Sequence, residues 1–360
     1  MKANTAISRR QFLRFEGPEA VDSVDGHWIR VHRRIMACRF EILLPGERPE
    51  WMTAARTALN LADRLEARLS LFRGTSELCG INRRAGDGPV TVHPHLFDLL
   101  QQAARLHADT DGAFDITSTP LSRCWGFLRR EGRVPSIDAI EKARARVGMQ
   151  FVELDAAATT VRFTRAGLEL NLGSIGKGYA LDRLARKLER LGVTTALLSA
   201  GRSSLRAIGA DQEGWPVDLR PSLAAGVVAK VRLGDTSMAT SGAGEQFVLE
   251  DGRRYGHVLD PRTGWPASGV RSATVITRSA ATADALSTAL LVGGPDLAHR
   301  YCASHSDTLV ILTPDDEGAG AQAFGACDGV AILESGLLHP FKPGERTGGI
   351  VEPSAACTLE

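Results

Sequence analysis

Leu168-Glu169-Leu170-Asn171-Leu172-Gly173-Ser174-Ile175-Gly176-Lys177-Gly178-Tyr179 runs from an alternating apolar stretch into a turn built from glycines and one lysine. Residues 177–191 then keep helical spacing and stop at Gly192, as helices that end on glycine do. The unit is an extended run, a glycine-rich turn and a helix. Exposed backbone amides at a helix start form an anion site, and Lys177 adds a point charge to it. The spacing is neither GxxxxGK[ST] nor GxGxxG. Phosphate binding and a plain tight turn both remain open for this stretch on spacing alone.

Working outward, Trp28 to Leu44 reads as strand, with alternation in Cys38-Arg39-Phe40-Glu41-Ile42. Pro45–Pro49 is a turn. Trp51 to Leu71 is an amphipathic helix: Leu59, Leu61, Leu65 and Leu69 recur near helical spacing while Asp63, Arg64, Glu66 and Arg68 face out. Helices follow over 93–108 and over 137–147, the latter capped by Ser136. Phe151–Leu154 and Thr160–Phe163 read as a hairpin. Beyond the central helix, Thr195–Ser199 and Leu205–Ile208 are strands, and strand-rich sequence continues to 277. A helix starts near Thr282, another covers 295–304, and strands at 308–313 and 329–333 close the core. Helices cluster early and strands come in runs, so the fold class is α+β rather than a regular βαβ alternation.

The composition is that of an ordinary globular chain: 360 residues, 43% hydrophobic and 24% charged. It excludes disorder, collagen and coiled coil. With 43 Lys and Arg against 42 Asp and Glu, the formal charge is +1. That balance argues against a nucleic-acid partner and against a broad anionic-membrane surface. No run of about 18 apolar residues occurs, so no membrane-spanning helix is expected. The expected organisation is a leader over 1–26, one domain over 27–340 and a loose tail over 341–360.

The cysteines Cys38, Cys79, Cys124, Cys302, Cys327 and Cys357 form no CxxC pair and no zinc spacing. They read as small buried hydrophobes, with disulfides as the alternative. This leans towards a reducing compartment. Ser8-Arg9-Arg10-Gln11-Phe12-Leu13 resembles a twin-arginine export address. The apolar region such a signal needs is replaced by charged residues. A cytoplasmic location is therefore expected, with twin-arginine export to the periplasm as the alternative.

Two further stretches carry chemistry. Gly256-His257-Val258-Leu259-Asp260-Pro261-Arg262-Thr263-Gly264-Trp265-Pro266 ends a strand in strong turn residues. His257 and Asp260 at its mouth suit acid–base work or ligand contact, or else a satisfied core histidine and a turn cap. In Thr282-Ala283-Asp284-Ala285-Leu286-Ser287-Thr288-Ala289-Leu290, Asp284 and Thr288 are i and i+4 on a helix among small and apolar neighbours. A buried carboxylate needs a partner. A hard cation is one candidate, and ordinary helix capping is the other. Weaker signals are polar groups on a loop after a helix, in Leu69–Asn82, and the two carboxylates of Thr110–Asp115.

Taken together and in order, Leu69–Asn82, Thr110–Asp115, Leu170–Asp182, His257–Pro266 and Ser272–Leu291 resemble the ApbE family of flavin transferases. The HxxDPxTGxP and ADALxTAL stretches are the specific ones. The resemblance implies an α+β fold of mixed and antiparallel sheets flanked by helices, with FAD bound in a groove between sub-lobes beside a magnesium ion. It implies transfer of the FMN half of FAD to a Thr or Ser hydroxyl of an acceptor protein, with release of AMP. Asp284 and Thr288 would be side-chain metal ligands, with a main-chain oxygen near Ser174 as a third. His257 would lie beside the diphosphate as base or positioner, making His257, Asp284 and Lys177 the catalytic set. Lys177, Asp260 and Thr263 would line the flavin or diphosphate site. Met36, Phe72, Ser76, Glu77, Asn82 and Asp115 would contact the nucleotide or hold its loops.

The sequence departs from the family pattern in two places. An Ala-Gly-Gly-Asp run is Ala200-Gly201-Arg202-Ser203 here, and a Met-Gly-Thr run is Met36-Ala37-Cys38. These changes motivate two alternative readings: a non-catalytic FAD-binding protein that stores, delivers or senses flavin, and a magnesium-dependent FAD pyrophosphatase giving FMN and AMP.

Overall fold

The computed structural model describes residues 28–209, 214–219, 228–244, 246–316, 319–334 and 338–340. The expected leader, 1–26, and the expected tail, 341–360, lie outside these residues. The helices are α1 (Trp51–Leu69), α2 (Glu77–Arg84), α3 (Pro94–Asp109), α4 (Thr119–Cys124), α5 (Ile137–Arg144), α6 (Gly176–Arg190) and α7 (Ala280–Ser304).

A nine-stranded sheet organises the molecule. Its order is Trp28–Ile35, Cys38–Pro45, Ala196–Ala200, Ser204–Ile208, Ser237–Gly242, Val270–Thr277, Thr308–Pro314, Ala321–Ala326 and Leu338–Pro340. All neighbours are antiparallel except the last pair, which is parallel. The α+β expectation therefore holds.

Both faces of the sheet are covered, and period-2 alternation shares the side chains between them. Leu198, Val275, Val310 and Leu312 join the main core with Leu59, Leu184 and Leu286 from the helices. Their neighbours Leu197, Ile276, Leu309 and Ile311 join a second core with Trp215, Val217 and Val231. That second core lies under a three-stranded sheet of Trp215–Leu219, Ala229–Leu233 and Val330–Glu334. Burial on two sides explains the continuous apolar runs Ala196-Leu197-Leu198 and Leu309–Leu312 in two of these strands. A third, aromatic cluster joins Leu121, Trp125, Phe127 and Ile140 to Leu259.

The helical expectations hold for α1, α3, α5 and α6 within a few residues. The helices expected from near Thr282 and over 295–304 form α7, with non-helical backbone at Gly294 just before Pro295. Three expectations are corrected. The stretch read as strand from Trp28 to Leu44 is a hairpin of Trp28–Ile35 and Cys38–Pro45, turned at Met36 and Ala37. Among the described cysteines, all read as buried, only Cys327 is buried and the other four are half-buried. The segment read as a loop after α1 contains α2, because Ser76 caps it by accepting a hydrogen bond from the Cys79 amide at 3.0 Å. Leu78 and Ile81 then anchor it in the core.

Candidate active site around Asp284

The site is built where α6 and α7 cross. Their backbones touch: a Cβ on Gly178 would lie 1.9 Å from the Ala280 carbonyl oxygen. No other residue fits there without displacing one helix. Each helix then gives a carboxylate to the other's first turn. Asp182 of α6 accepts from Ser279 Oγ at 2.8 Å, Ala280 N at 2.9 Å and Ala281 N at 3.0 Å. Asp284 of α7 accepts from Gly178 N at 3.1 Å. Each carboxylate meets unpaired amides at the positive end of a helix dipole.

Asp284 is buried, 4% exposed. Its Oδ1 accepts from the Lys177 ammonium at 2.9 Å and from Ser204 Oγ at 3.2 Å. One turn along, Thr288 Oγ1 lies 3.2 Å from Ser241 Oγ, which lies 2.9 Å from Ser287 Oγ. The expected i, i+4 pair thus opens onto a strip of hydroxyls supplied by Ser204 and Ser241 of the main sheet. Sequence reading missed both serines. They carry no local signal, being a strand's first residue and a residue near a strand's end.

Ser174 stands in the turn ahead of α6, where Gly176 N donates to Leu172 O at 2.7 Å. The donor set suits a hard cation: a carboxylate, hydroxyls and a nearby main chain, with no thiol or imidazole among the contacts given above. Among the described residues, no cluster of three or more His, Cys, Asp or Glu is placed to hold a metal ion. A cation here would therefore rest on Asp284, with neutral oxygens completing the set.

His257 belongs to a different part of the fold. It follows the hairpin Phe247–Glu250/Arg253–Gly256. Its Nδ1 lies 3.2 Å from the Gln246 carbonyl, which can only accept, so Nδ1 is the donor and, in the neutral ring, Nε2 carries the lone pair. The Phe127 ring stands edge-on to the imidazole at 6.5 Å. The turn beyond it is held by side-chain hydrogen bonds. Asp260 takes Arg262 N, Nε and Nη2, all at 2.9 Å, and Thr263 Oγ1 accepts from Trp265 N at 3.2 Å. Gly264 has φ 80°, and a Cβ there would lie 2.6 Å from Ile140 Cγ2. Its carbonyl accepts from buried Trp125 Nε1 at 2.9 Å. The carboxylate of Asp260 thus orders the turn.

The remaining expected residues divide in two. Ser76, Glu77, Asn82 and Asp115 are engaged in internal bonds. Ser76 Oγ donates to Ser70 O at 2.7 Å. Glu77 accepts from His93 N at 2.5 Å and pairs with Arg68 at 3.2 Å. Asn82 clamps Leu170 from both sides, donating to its carbonyl and accepting from its amide, each at 2.9 Å. Asp115 accepts from Thr117 N at 2.7 Å and Thr117 Oγ1 at 2.6 Å, and stands 3.4 Å from His107 Nδ1. Burial pushes the Asp115 carboxyl above its usual value, opposed by those bonds and by His107. By contrast, Phe72 is 77% exposed on its loop, and Met36 forms a hairpin turn with Ala37.

The model of the ApbE family matches residues 36–312. A FAD:protein FMN transferase of Treponema pallidum (strain Nichols) is 32% identical over 317 residues, covering 83% of this chain and 87% of that protein. One from Salmonella typhimurium is 32% identical over 277 residues, covering 75% of this chain and 78% of that protein. Among solved structures, the ApbE protein of Thermotoga maritima superposes with a TM-score of 0.74 at 30% identity, covering 82% of this chain and 97% of that one. The flavin transferase ApbE from Vibrio cholerae gives 0.72 at 26% identity, covering 83% of this chain and 97% of that one.

Proposed function

The chain belongs to the ApbE family, and from that membership we infer that it is a FAD:protein FMN transferase, moving FMN from FAD to a protein. In finer detail, we propose that the acceptor is a Thr or Ser hydroxyl and that AMP leaves. The acceptor oxygen forms a bond to the FMN phosphorus. The bridging P–O bond to the AMP phosphate breaks, and AMP takes that oxygen. The hydroxyl proton goes to Nε2 of His257, the nitrogen left basic by the Nδ1 contact with Gln246. Charge builds on phosphoryl oxygens in such a reaction, so positioning and electrostatics do most of the work.

The observation that carries this reading is the buried Asp284 at the α6–α7 crossing, with Thr288 one turn along and Lys177 against it. Asp284, Thr288 and a main-chain oxygen near Ser174 would hold a magnesium ion. Bound there, the ion would offset phosphoryl charge and keep positions open for phosphate and water. Lys177 and the amide end of α6 would face the diphosphate. Asn82 and Asp182 would hold these groups in place.

The test is to incubate the protein with FAD and magnesium, with and without a short Thr-containing acceptor domain, and to quantify AMP. AMP matched one-for-one by covalent flavin on the acceptor is the expected result. AMP with free FMN and no labelled acceptor would replace the transferase with a pyrophosphatase. Tight FAD binding without AMP would leave a flavin binder. Asp284→Ala should abolish turnover at saturating magnesium.

A further inference from the structure

Lys177 sits on the same carboxylate that the proposed function gives to a cation. Oδ1 of Asp284 holds the ammonium at 2.9 Å and Ser204 Oγ at 3.2 Å, and Oδ2 holds Gly178 N at 3.1 Å. A carboxylate offers about four lone-pair positions, so most of its capacity is engaged. The residue is 4% exposed, and burying a charge is costly unless it is paired. The Lys177 ammonium is that partner. A divalent ion on the same carboxylate would stand within a few ångströms of it. Two cations that close repel strongly where water is scarce.

The choice of lysine fits an exchangeable contact. Of the 43 basic side chains, 37 are arginine and six are lysine. An arginine fork would clasp the carboxylate at two points, whereas an ammonium is a compact charge on a flexible stem. The Lys177 side chain is 25% exposed, so it is not sealed in the core.

We propose that Lys177 and a divalent cation are alternative partners of Asp284, and that the displaced ammonium pairs with the FAD diphosphate. This rests on the reading of Asp284 as the cation ligand. Cation and dinucleotide then bind cooperatively, because each favours the same position of Lys177, and the coupling is reciprocal.

The test uses Mn²⁺, whose free form is read directly by electron paramagnetic resonance, with no nucleotide present. Lys177→Met should bind Mn²⁺ at least tenfold more tightly than the wild type. Equal or weaker binding would overturn the exchange. Wild-type protein gives an independent reading through acetylation of Lys177 by an amine-reactive reagent, followed by peptide mass spectrometry. Magnesium should speed acetylation several-fold and added FAD should slow it again, with Lys142 and Lys187 as unchanged internal controls. A rate indifferent to magnesium would likewise overturn the proposal. Asp284→Asn separates the two ideas. If that variant loses Mn²⁺ while Lys177→Met gains nothing, the exchange alone fails. If it binds Mn²⁺ as the wild type does, the assignment of Asp284 as ligand fails, and the exchange with it.

Discussion

Met36 and Ala37 turn the first hairpin with φ 51° and 58°, a left-handed pair that glycine, asparagine or aspartate adopts more readily. Gly201 and Arg202 turn the neighbouring hairpin with φ 62° and 65°. A Cβ on Gly201 would lie 3.1 Å from Cys38 Cβ. The two places where the sequence leaves the family pattern therefore lie against each other in space, though more than 160 residues apart in the chain. A non-glycine residue in this region costs about 1–2 kcal/mol. Ala37→Gly should stabilise the fold by about 1 kcal/mol, after allowing for the looser unfolded chain. A higher urea midpoint at unchanged slope would show it, and a lower one would contradict the strain. At the far end of the sheet, the Arg278 guanidinium hydrogen-bonds Asp307 and holds its carboxyl below the usual carboxylate value. A lowered folded-state value means stabilisation that is present above the unfolded pKa of about 3.9 and lost as pH falls through the folded one. Asp307→Asn keeps the acceptor for Asp328 N. It should be less stable than the wild type at pH 7, with the difference closing in acid; a difference independent of pH would argue against the ion pair.

At the scale of elements, α6 and α7 are held by exchanged carboxylates. Replacing Asp182 with Ala removes three acceptor contacts from the start of α7. The expected cost is about 2 kcal/mol, the upper range for a lost helix cap. The same variant should need more magnesium for half-maximal turnover, because Asp284 and Thr288 lie on the helix that Asp182 registers. Unchanged magnesium dependence would confine Asp182 to stability. The sequence already displayed α1, α3 and α6 through their apolar spacing, which a helix must bury on one face. It hid α2, whose eight residues offer only Leu78 and Ile81 as large apolar anchors. Ser76 followed by Glu77 was the available signal, since a serine cap and an acid in the first turn favour a helix start. The strand Ala321–Ala326 was also hidden, because Gln322 and Gly325 interrupt any apolar alternation.

Across the whole molecule, ligands that bind only the folded state raise its stability by mass action. FAD with magnesium at about 100 times its dissociation constant adds about 2.7 kcal/mol, or a rise in Tm of roughly 5 °C for a large domain. FAD alone should give less, and Asp284→Asn should erase the magnesium increment; an increment that survives would move the cation elsewhere. The sequence by itself determined the α+β class, the turn-to-helix order of 168–191 and the placement of Asp284 and Thr288 one turn apart on a helix, because propensity, turn residues and i, i+4 geometry are local. The tertiary structure alone decided what those groups meet. Lys177 reaches Asp284 across 107 residues, Ser204 across 80 and Asp182 reaches Ser279 across 97. Nothing in any one segment encodes those distances. They follow from two helices packed in backbone contact at Gly178 on a sheet buried on both faces, where each buried charge and each helix end must find its partner in another element.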